Sequence, residues 1–287
     1  MSGLRLLAPA KLNLFLHVLG RRADGYHTIE SLVVFADLVD ELTFTAANDL
    51  SLSVSGEFAH DSGANEHNLV HKAARALQMH SGCARGAQIT LKKNIPVGAG
   101  LGGGSADAAA ALRGLNTLWQ LGLGDEALKD IAIPLGADVA MCLTSRSAIV
   151  RGVGDEIALI SGSIPAMAAL FVHPRVPLLT KDVYAKLDTM SPVEPWPANT
   201  VSPQLFWQQL RCTKNHLQAP AIALSPLVAE LLLALETLEP ASQTARMTGS
   251  GACCFALYDT LAKAQNAAAH IAADYPDWWI KAVRIAS

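Results

Sequence analysis

The 287-residue sequence predicts an α+β chain organised as two domains. Apolar and polar residues alternate over residues 4–19, and later a cluster of glycines leads directly into an alanine-rich helical stretch. The second half orders its segments as strand, helix, helix and strand, and this segregation favours an α+β arrangement. A stretch rich in Ser, Gly and Pro near residues 160–165 predicts a boundary between an N-terminal domain, residues 1–160, and a C-terminal domain, residues 161–287.

Composition excludes several classes of protein. The chain is 51% hydrophobic and 16% charged, which is typical of a globular protein. Its net charge of -3 provides no general basic surface for nucleic acid. No uninterrupted apolar stretch reaches membrane length, and the first residues lack the pattern of a signal peptide. We therefore expect a cytoplasmic protein without a nucleic-acid or membrane partner. The five cysteines lack Cys-x-x-Cys spacing, so we expect reduced core thiols.

A glycine-rich loop precedes the alanine-rich stretch and is the centre of the functional prediction. Five glycines fall within seven residues: Gly98, Gly100, Gly102, Gly103 and Gly104. Ser105 follows as a predicted helix N-cap, and the helix is predicted to continue to Trp119. A glycine loop at a helix N-terminus presents free N–H groups and the positive end of the helix dipole, so it predicts a phosphate site. The alternative is a plain turn, which so many glycines would weaken.

Two familiar phosphate loops fit this stretch poorly. The Walker A pattern needs a lysine before the closing Ser or Thr, and Gly104 precedes Ser105 instead. The dinucleotide pattern G-x-G-x-x-G is matched by three glycines of the loop. That pattern also needs a strand running into the loop, which Pro96 interrupts, and an acidic residue at the end of the following strand. A nicotinamide enzyme therefore stays an alternative.

The segment from Pro96 to Ala106 resembles the phosphate loop of the galactokinase, homoserine, mevalonate and phosphomevalonate (GHMP) kinase superfamily. This resemblance implies an ATP-binding N-terminal domain like domain 2 of ribosomal protein S5 and a ferredoxin-like C-terminal domain. The residues it implies for ATP are Pro96, Val97, Gly98, Ala99, Gly100, Leu101, Gly102, Gly103, Gly104, Ser105 and Ala106.

The first strand carries a candidate catalytic lysine. Leucines share one face of residues 4–19, so Lys11 and Asn13 share the opposite face. A lysine in an apolar strand needs a partner when buried, and otherwise faces water at a sheet edge. Residues 9–14, Pro-Ala-Lys-Leu-Asn-Leu, resemble the first motif of the superfamily. The resemblance implies that Lys11 is catalytic and that Asn13 contacts the substrate.

A single carboxylate, Asp138, lies in a later apolar run, where it could serve as a helix N-cap. Residues 135–139, Leu-Gly-Ala-Asp-Val, resemble the segment that carries the catalytic aspartate of the superfamily. A hydroxyl that attacks a phosphoryl group needs its proton accepted, and a nearby ammonium keeps the accepting carboxylate ionised. We therefore expect Lys11 and Asp138 to form the catalytic pair.

The loop Arg-Ala-Asp-Gly-Tyr-His, residues 22–27, could be a solvated hairpin loop. It also resembles the loop of those superfamily members that act on a cytidine-containing substrate, which implies that Tyr26 and His27 contact the cytosine. An aromatic face can stack on a base, and imidazole nitrogens can hydrogen-bond to its edge.

Further site residues follow from the same resemblance. Thr180 and Tyr184 match substrate-contacting positions, although Thr180 could be a helix N-cap. Gly249 and Gly251, in a segment that resembles the third superfamily motif, would let the backbone approach phosphates or substrate; the alternative is a glycine-rich turn. Asn68 and Lys93 match positions near the adenine. A helix cap and a solvated loop charge are their respective alternatives.

The implied function is ATP-dependent phosphorylation of the 2-hydroxyl of a cytidine diphosphate-linked methylerythritol in non-mevalonate isoprenoid biosynthesis. Mg²⁺ is the implied second cofactor, and the sequence assigns it no ligands. A kinase of another small alcohol is the alternative within the superfamily, for which Tyr26 and His27 would have no evident role. A nucleotide-binding protein without turnover is the other alternative, and it would not need both Lys11 and Asp138.

Overall fold

The chain begins with long strands, and the glycine-rich loop at residues 98–104 leads into a helix. The structure is a computed structural model that describes residues 3–64, 66–162, 164–188, 193–196, 203–238 and 244–286. Within these ranges the strands are β1 Leu4–Arg21, β2 His27–Ala47, β3 Leu50–Ser55, β4 Gly86–Lys92, β5 Ala148–Arg151, β6 Glu156–Leu159, β7 Met167–His173, β8 Ala245–Met247, β9 Cys254–Tyr258 and β10 Trp279–Ala286. The α-helices are α1 Ala59–Ser62, α2 Leu69–Ser81, α3 Gly103–Leu118, α4 Asp125–Ala132, α5 Ala137–Thr144, α6 Thr180–Ala185, α7 Phe206–Arg211, α8 Gln218–Leu224, α9 Leu227–Glu236 and α10 Leu261–Asp274.

The chain divides into two compact units, to both of which β1 and β2 contribute residues. Unit 1 consists of Met1–Lys11, Leu38–Val97 and Gly102–Ser145, and unit 2 of Leu12–Asp37, Gly98–Leu101 and Arg146–Ser287. These units reflect packing within the chain. The domain boundary predicted after residue 160 stays a prediction, and Ser163 beside it lies outside the described residues.

Unit 1 packs helices on strands β2, β3 and β4. Strand β4 pairs antiparallel with the second half of β2, from Glu41↔Lys92 to Ala47↔Gly86, and β3 pairs parallel with β4. Helix α3 packs against α2 and α5. At Gly114 of α3 an added Cβ would lie 2.4 Å from a ring carbon of Phe44, so a glycine is what lets the ring of Phe44 reach the helix backbone.

Helix α3 begins earlier than the sequence predicts. Gly102 is its N-cap residue, with a φ of 64°, and Ser105 lies within the first turn. The prediction of Ser105 as the N-cap is therefore wrong. Because Gly102 adopts the left-handed conformation without a steric cost, the chain enters the helix before it reaches the serine. The alanines after it are almost completely buried, as helical spacing predicts.

Strand β2 is one continuous strand of 21 residues, whereas the sequence predicts separate strands over residues 31–35 and 40–45. The polar residue Asp37 lies between these predicted strands. Its Oδ1 accepts a hydrogen bond of 2.8 Å from the backbone N–H of Arg284 in β10, and β10 pairs with β2 at Ala36. Pairing with a distant strand therefore keeps this segment extended.

Unit 2 contains a second antiparallel arrangement. Strands β8, β9, β7 and β10 pair in that order, and β10 also pairs with the first half of β2. Strands β5 and β6 form a hairpin around residues 151–156, and β5 pairs with β2. Helices α9 and α10 cover an apolar core that includes Leu170, Val172, Leu231, Leu235 and Ala256.

The described cysteines are free thiols, three of them buried: Cys142, Cys253 and Cys254. Burial raises the pKa of each of these three thiols. Cys212 is exposed and Cys83 half-buried, so the prediction of core positions is wrong for these two. None of the helices in the described ranges combines the length and hydropathy that a membrane span requires.

Candidate active site

The predicted pair of Lys11 and Asp138 is formed in unit 1. Lys11 Nζ lies 3.4 Å from Asp138 Oδ2, and the lysine side chain is 7% exposed against 54% for the aspartate. Asp138 is the second residue of α5, and Gly136 is the N-cap, so the alternative of Asp138 as an N-cap is wrong. A carboxylate in the first turn is stabilised by the helix dipole as well as by the ammonium. The arrangement can therefore hold an ionised carboxylate that solvent or a ligand can reach.

The stem of Lys11 lies against the glycine loop. A Cβ added to Gly102 would sit 2.5 Å from Lys11 Cγ. Position 102 therefore requires a glycine for two reasons: its φ is positive, and a side chain there would clash with the stem of Lys11. This contact places the ammonium of Lys11 beside the N-terminus of α3.

The glycine loop has the features of an anion cradle. Gly98 and Gly100 also have positive φ values, of 67° and 76°. Gly102 is the N-cap of α3, a helix of 16 residues whose first N–H groups have no partner within the helix. Ser105 is half-buried in that first turn. Backbone N–H groups and a helix dipole at one place are the donors that bind phosphate in many proteins.

Lys93 is buried, so its alternative as a solvated loop charge is wrong. Its Nζ donates to Asp40 and, at 2.6 Å, to Asp107 Oδ2, and all three side chains are at most 3% exposed. Burial, with a contribution from Asp40, raises the pKa of Asp107 to about 8, and Lys93 opposes this shift. The two carboxylates raise the pKa of Lys93 against the effect of burial.

Asn68 is the N-cap of α2, the role that the sequence offered as the alternative to an adenine contact. Its Oδ1 accepts from the backbone N–H of Val70 at 2.9 Å, and its Nδ2 donates to Gly63 O at 2.8 Å. The amide is therefore used within the fold, and a contact of Asn68 or Lys93 with adenine stays a prediction.

In unit 2, Asn13 is held by two hydroxyl groups. Its backbone N–H donates to Thr248 Oγ1 at 3.1 Å, and its Nδ2 donates to Ser31 Oγ at 2.7 Å. Ser31 donates in turn to the carbonyl of Phe15 at 2.5 Å. Sequence reasoning missed Ser31, which has no signal beyond being a hydroxyl residue. Thr248 lies within the third motif, but the sequence assigned it no role.

Tyr26 is the last residue of the loop between β1 and β2, and His27 is the first residue of β2. Tyr26 is 67% exposed. The imidazole of His27 stacks on the ring of Tyr184, with ring centroids 5.0 Å apart and planes tilted by 29°. Burial and the charge of Arg21 lower the pKa of His27, which favours the neutral imidazole. A neutral imidazole has one donor and one acceptor nitrogen, which suits a base edge.

The remaining predicted residues of unit 2 lie around a second glycine segment. Thr180 Oγ1 and Ser250 Oγ are 2.8 Å apart and hydrogen-bonded. Thr180 is the first residue of α6 and Leu179 is the N-cap, so the N-cap alternative for Thr180 is wrong. Gly249 and Gly251 have φ values of 55° and 84°, and the carbonyl of Gly249 accepts from Asn215 Nδ2 at 2.8 Å. The turn is thus rigidly held in the conformation that glycine allows.

No group of three His, Cys, Asp or Glu side chains suited to a metal ion occurs in the described ranges. A magnesium ion that arrives with a nucleotide needs few protein ligands, because it keeps phosphate and water oxygens.

Comparison with known proteins defines the class. Residues 68–146 match the family described as GHMP kinases N terminal domain, and residues 204–277 match GHMP kinases C terminal. The crystal structure of a homoserine kinase from Cytophaga hutchinsonii shares the fold, with a TM-score of 0.73 and 19% identity over 100% of this chain and 95% of that one. The prediction of a two-domain α+β GHMP-kinase fold is confirmed.

Proteins with higher sequence identity identify the family within this class. The 4-diphosphocytidyl-2-C-methyl-D-erythritol kinase of Parvibaculum lavamentivorans is 43% identical over 96% of this chain and 95% of its own. A crystal structure of 4-(cytidine 5'-diphospho)-2C-methyl-D-erythritol kinase has a TM-score of 0.80 and 30% identity, covering 99% of this chain and 100% of that one. The chain belongs to the GHMP kinases and, within them, to the family of 4-diphosphocytidyl-2-C-methyl-D-erythritol kinases. It is a small-molecule kinase of an ATP-using family.

Proposed function

We propose that this protein transfers the γ-phosphoryl group of ATP to the 2-hydroxyl of 4-diphosphocytidyl-2-C-methyl-D-erythritol, a step of the non-mevalonate route to isoprenoids. The observation that carries the proposal is the pair of Lys11 and Asp138, 3.4 Å apart, with the lysine stem against Gly102 of the glycine loop. The names of the similar kinases support the identity of the acceptor. A cytoplasmic location stays a prediction.

The glycine loop and the start of α3 are proposed to bind the phosphates. The N–H groups of the first turn and the helix dipole would hold the negative oxygens in place. Gly98, Gly100 and Gly102, with their positive φ values, let the loop backbone approach a ligand more closely than side chains would permit. Mg²⁺ on the phosphates would neutralise part of their charge during transfer.

Asp138 is proposed to accept the proton of the attacking hydroxyl. The hydroxyl oxygen forms a bond to the γ-phosphorus as the bond to the leaving ADP oxygen breaks, and the hydroxyl proton passes to the carboxylate. The ammonium of Lys11, 3.4 Å from the carboxylate, would stabilise negative charge on the reacting oxygens. Because the side chain of Asp138 is 54% exposed, an acceptor alcohol can reach it directly.

The cytidine part of the substrate is proposed to contact Tyr26, His27 and Tyr184. An exposed phenol ring and a stacked imidazole–phenol pair offer π faces and a neutral hydrogen-bonding edge, which together suit a pyrimidine base. Asn13, which follows Lys11 by two positions along β1, and Thr180 are proposed as polar contacts. Gly249 and Gly251 are proposed to bring their backbone close to the substrate.

The test is ATP-dependent ADP release by the purified protein with Mg²⁺ and 4-diphosphocytidyl-2-C-methyl-D-erythritol, beside homoserine and mevalonate. Turnover with the cytidylated alcohol alone is the expected result. Turnover with another alcohol would overturn the role of Tyr26 and His27 and keep the catalytic pair. ATP binding without turnover on any alcohol would favour a nucleotide-binding protein. Asp138→Asn serves as the inactive control, and Asp130→Asn, at an exposed position of α4, as the matched active control.

A further inference from the structure

The buried cluster of Lys93, Asp40 and Asp107 is not used by the proposed reaction. Lys93 follows β4, Asp40 lies in β2 and Asp107 lies in α3, so one ammonium joins three elements of unit 1. Burying three charged groups is costly unless they are paired and hydrogen-bonded. A cluster of this kind at the base of a functional loop therefore requires an explanation.

The cluster holds the entry to the glycine loop. Asp40 Oδ1 accepts from the backbone N–H of Asn94 at 2.5 Å and from that of Ile95 at 2.9 Å. Asn94 Nδ2 also donates to the carbonyl of Val39 at 2.8 Å. The chain is therefore fixed to β2 immediately before Pro96, where the loop begins.

The same cluster holds the exit from the loop. Asp107 lies four residues after Gly103, on the same face of α3, and bonds Lys93 at 2.6 Å. A Cβ added to Gly103 would lie 2.9 Å from Lys93 Nζ, so the ammonium lies directly against the first residue of the helix. Lys93 is itself anchored through its backbone, whose N–H donates to the carbonyl of Ser55 at 2.7 Å. Both ends of residues 96–102 are thus tied to one ion cluster.

The charge of the cluster argues against direct attraction of the nucleotide. One ammonium and two carboxylates sum to -1 when all are ionised, and to zero when Asp107 is protonated. In neither state does the cluster carry the net positive charge that would attract a polyphosphate. The two carboxylates also occupy the ammonium of Lys93, so that it is not directed at a ligand.

We propose that Lys93, Asp40 and Asp107 are positioning residues that fix both ends of the glycine loop and thereby set its affinity for the phosphates of ATP. The inference rests on the proposed role of this loop in ATP binding. It assigns to Lys93 an action through the loop backbone. Positioning of this kind matters because a misplaced loop loses several hydrogen bonds to phosphate at once.

The experiment compares the binding of ATP with that of adenosine, which lacks phosphates. ATP binding is measured by calorimetry and adenosine binding by ligand-observed NMR, without any acceptor alcohol. Lys93→Met is expected to weaken ATP binding about tenfold or more, in line with the loss of a charged hydrogen bond, and to leave adenosine binding unchanged. Lys92→Met, at the exposed neighbouring lysine, is the matched control and should change neither.

Two variants of Asp107 test the same idea without removing the ammonium. Asp107→Asn keeps an oxygen that can accept from Lys93, so ATP binding should stay close to that of the wild type. Asp107→Ala removes the acceptor and should weaken ATP binding as Lys93→Met does, again without affecting adenosine. Thermal unfolding shows whether Lys93→Met folds. If it does not, the two variants of Asp107 still test the proposal.

Equal losses of ATP and adenosine affinity in Lys93→Met would assign the lysine to the base and overturn the proposal. Unchanged ATP affinity in Asp107→Ala would overturn it as well. Because no acceptor is present, a wrong acceptor assignment leaves these results unaffected. Failure of the wild type to bind ATP would instead overturn the proposed function together with this inference.

Discussion

The ammonium of Lys11 lies 3.4 Å from the carboxylate of Asp138, and the two side chains differ sharply in exposure, at 7% and 54%. The buried partner is part of the packing beside Gly102, whereas the exposed partner belongs to the surface of α5. The side chain of Asp138 is largely exposed and adds little packing, and an asparagine in its place keeps an oxygen that can accept from the Lys11 ammonium. Asp138 can therefore be changed with little effect on the fold, which makes its chemical role directly testable.

Asp138→Asn is expected to lower kcat by about 10²- to 10⁴-fold, the usual contribution of a general base. ATP affinity and the melting temperature should stay near those of the wild type, because the side chain is largely exposed. Steady-state kinetics and thermal unfolding measure these effects, with Asp130→Asn as the control. Near-normal turnover of a folded Asp138→Asn protein would show that another group accepts the proton.

Gly102→Ala is expected to lower both stability and kcat. A non-glycine residue in the left-handed conformation costs about 1–2 kcal/mol, and the new Cβ would lie 2.5 Å from Lys11 Cγ. Gly122 is a matched control, because its φ of 67° is similar and an added Cβ would meet nothing within 4 Å. Gly122→Ala should show the backbone cost alone, with normal kcat. Equal kinetics in the two variants would contradict the requirement for close approach to Lys11.

Tyr184→Ala is expected to raise the KM for the cytidylated substrate, while the KM for ATP stays unchanged. Loss of an aromatic platform for a base costs about 1–3 kcal/mol. The stack of His27 on Tyr184, with centroids 5.0 Å apart, would also lose its support. Tyr184→Phe keeps the ring and should behave almost as the wild type. If the alanine variant has an unchanged KM for the substrate, the assignment of this pair to the cytosine is wrong.

The buried imidazole of His17 should make the free energy of unfolding depend on pH. Burial, with the nearby charges of His216, Arg246 and Lys214, lowers the pKa of His17 from 6.5 to about 4. The carboxylate of Glu30 does not offset this, since its oxygens bind Arg151 and the backbone N–H of Trp196, and His17 Nδ1 is 3.9 Å away.

Below pH 6.5 the unfolded state therefore takes up a proton that the folded state does not. The free energy of unfolding should fall as the pH decreases from about 6.5 to 4, by at most about 1.4 kcal/mol per pH unit for this group. Denaturant unfolding across this range measures the slope. His17→Gln should reduce it, whereas substitution of the exposed His80 by Gln should not. An identical slope in His17→Gln would assign the pH dependence to other groups.

Local signals were sufficient to predict the glycine loop and the helix that follows it, because turn chemistry and helical spacing act over a few residues. The pairing of Lys11 with Asp138 needed the family resemblance, since 127 positions separate the two residues. Strand β2 was divided wrongly because Asp37 looks like a break. Its partner, Arg284, lies on a strand that no local pattern connects to it.

The Lys93 cluster illustrates the limit of sequence reasoning. A lysine in a polar stretch before a loop indicates a solvated charge, and only the three-dimensional fold shows that Asp40 and Asp107 surround it. The available signal was Asp107, a carboxylate within a run of alanines that are otherwise buried. A charge at an apolar helical position requires a partner, but the sequence does not say which one.

The exposure of Asp138 also bears on wasteful hydrolysis. With no alcohol in place, bulk water can reach the same carboxylate that would activate the acceptor. A kinase built in this way cannot rely on its base to discriminate against water. If Asp138 is the base, protection of ATP against hydrolysis would have to come from the acceptor itself, which would cover Asp138 and displace solvent on binding.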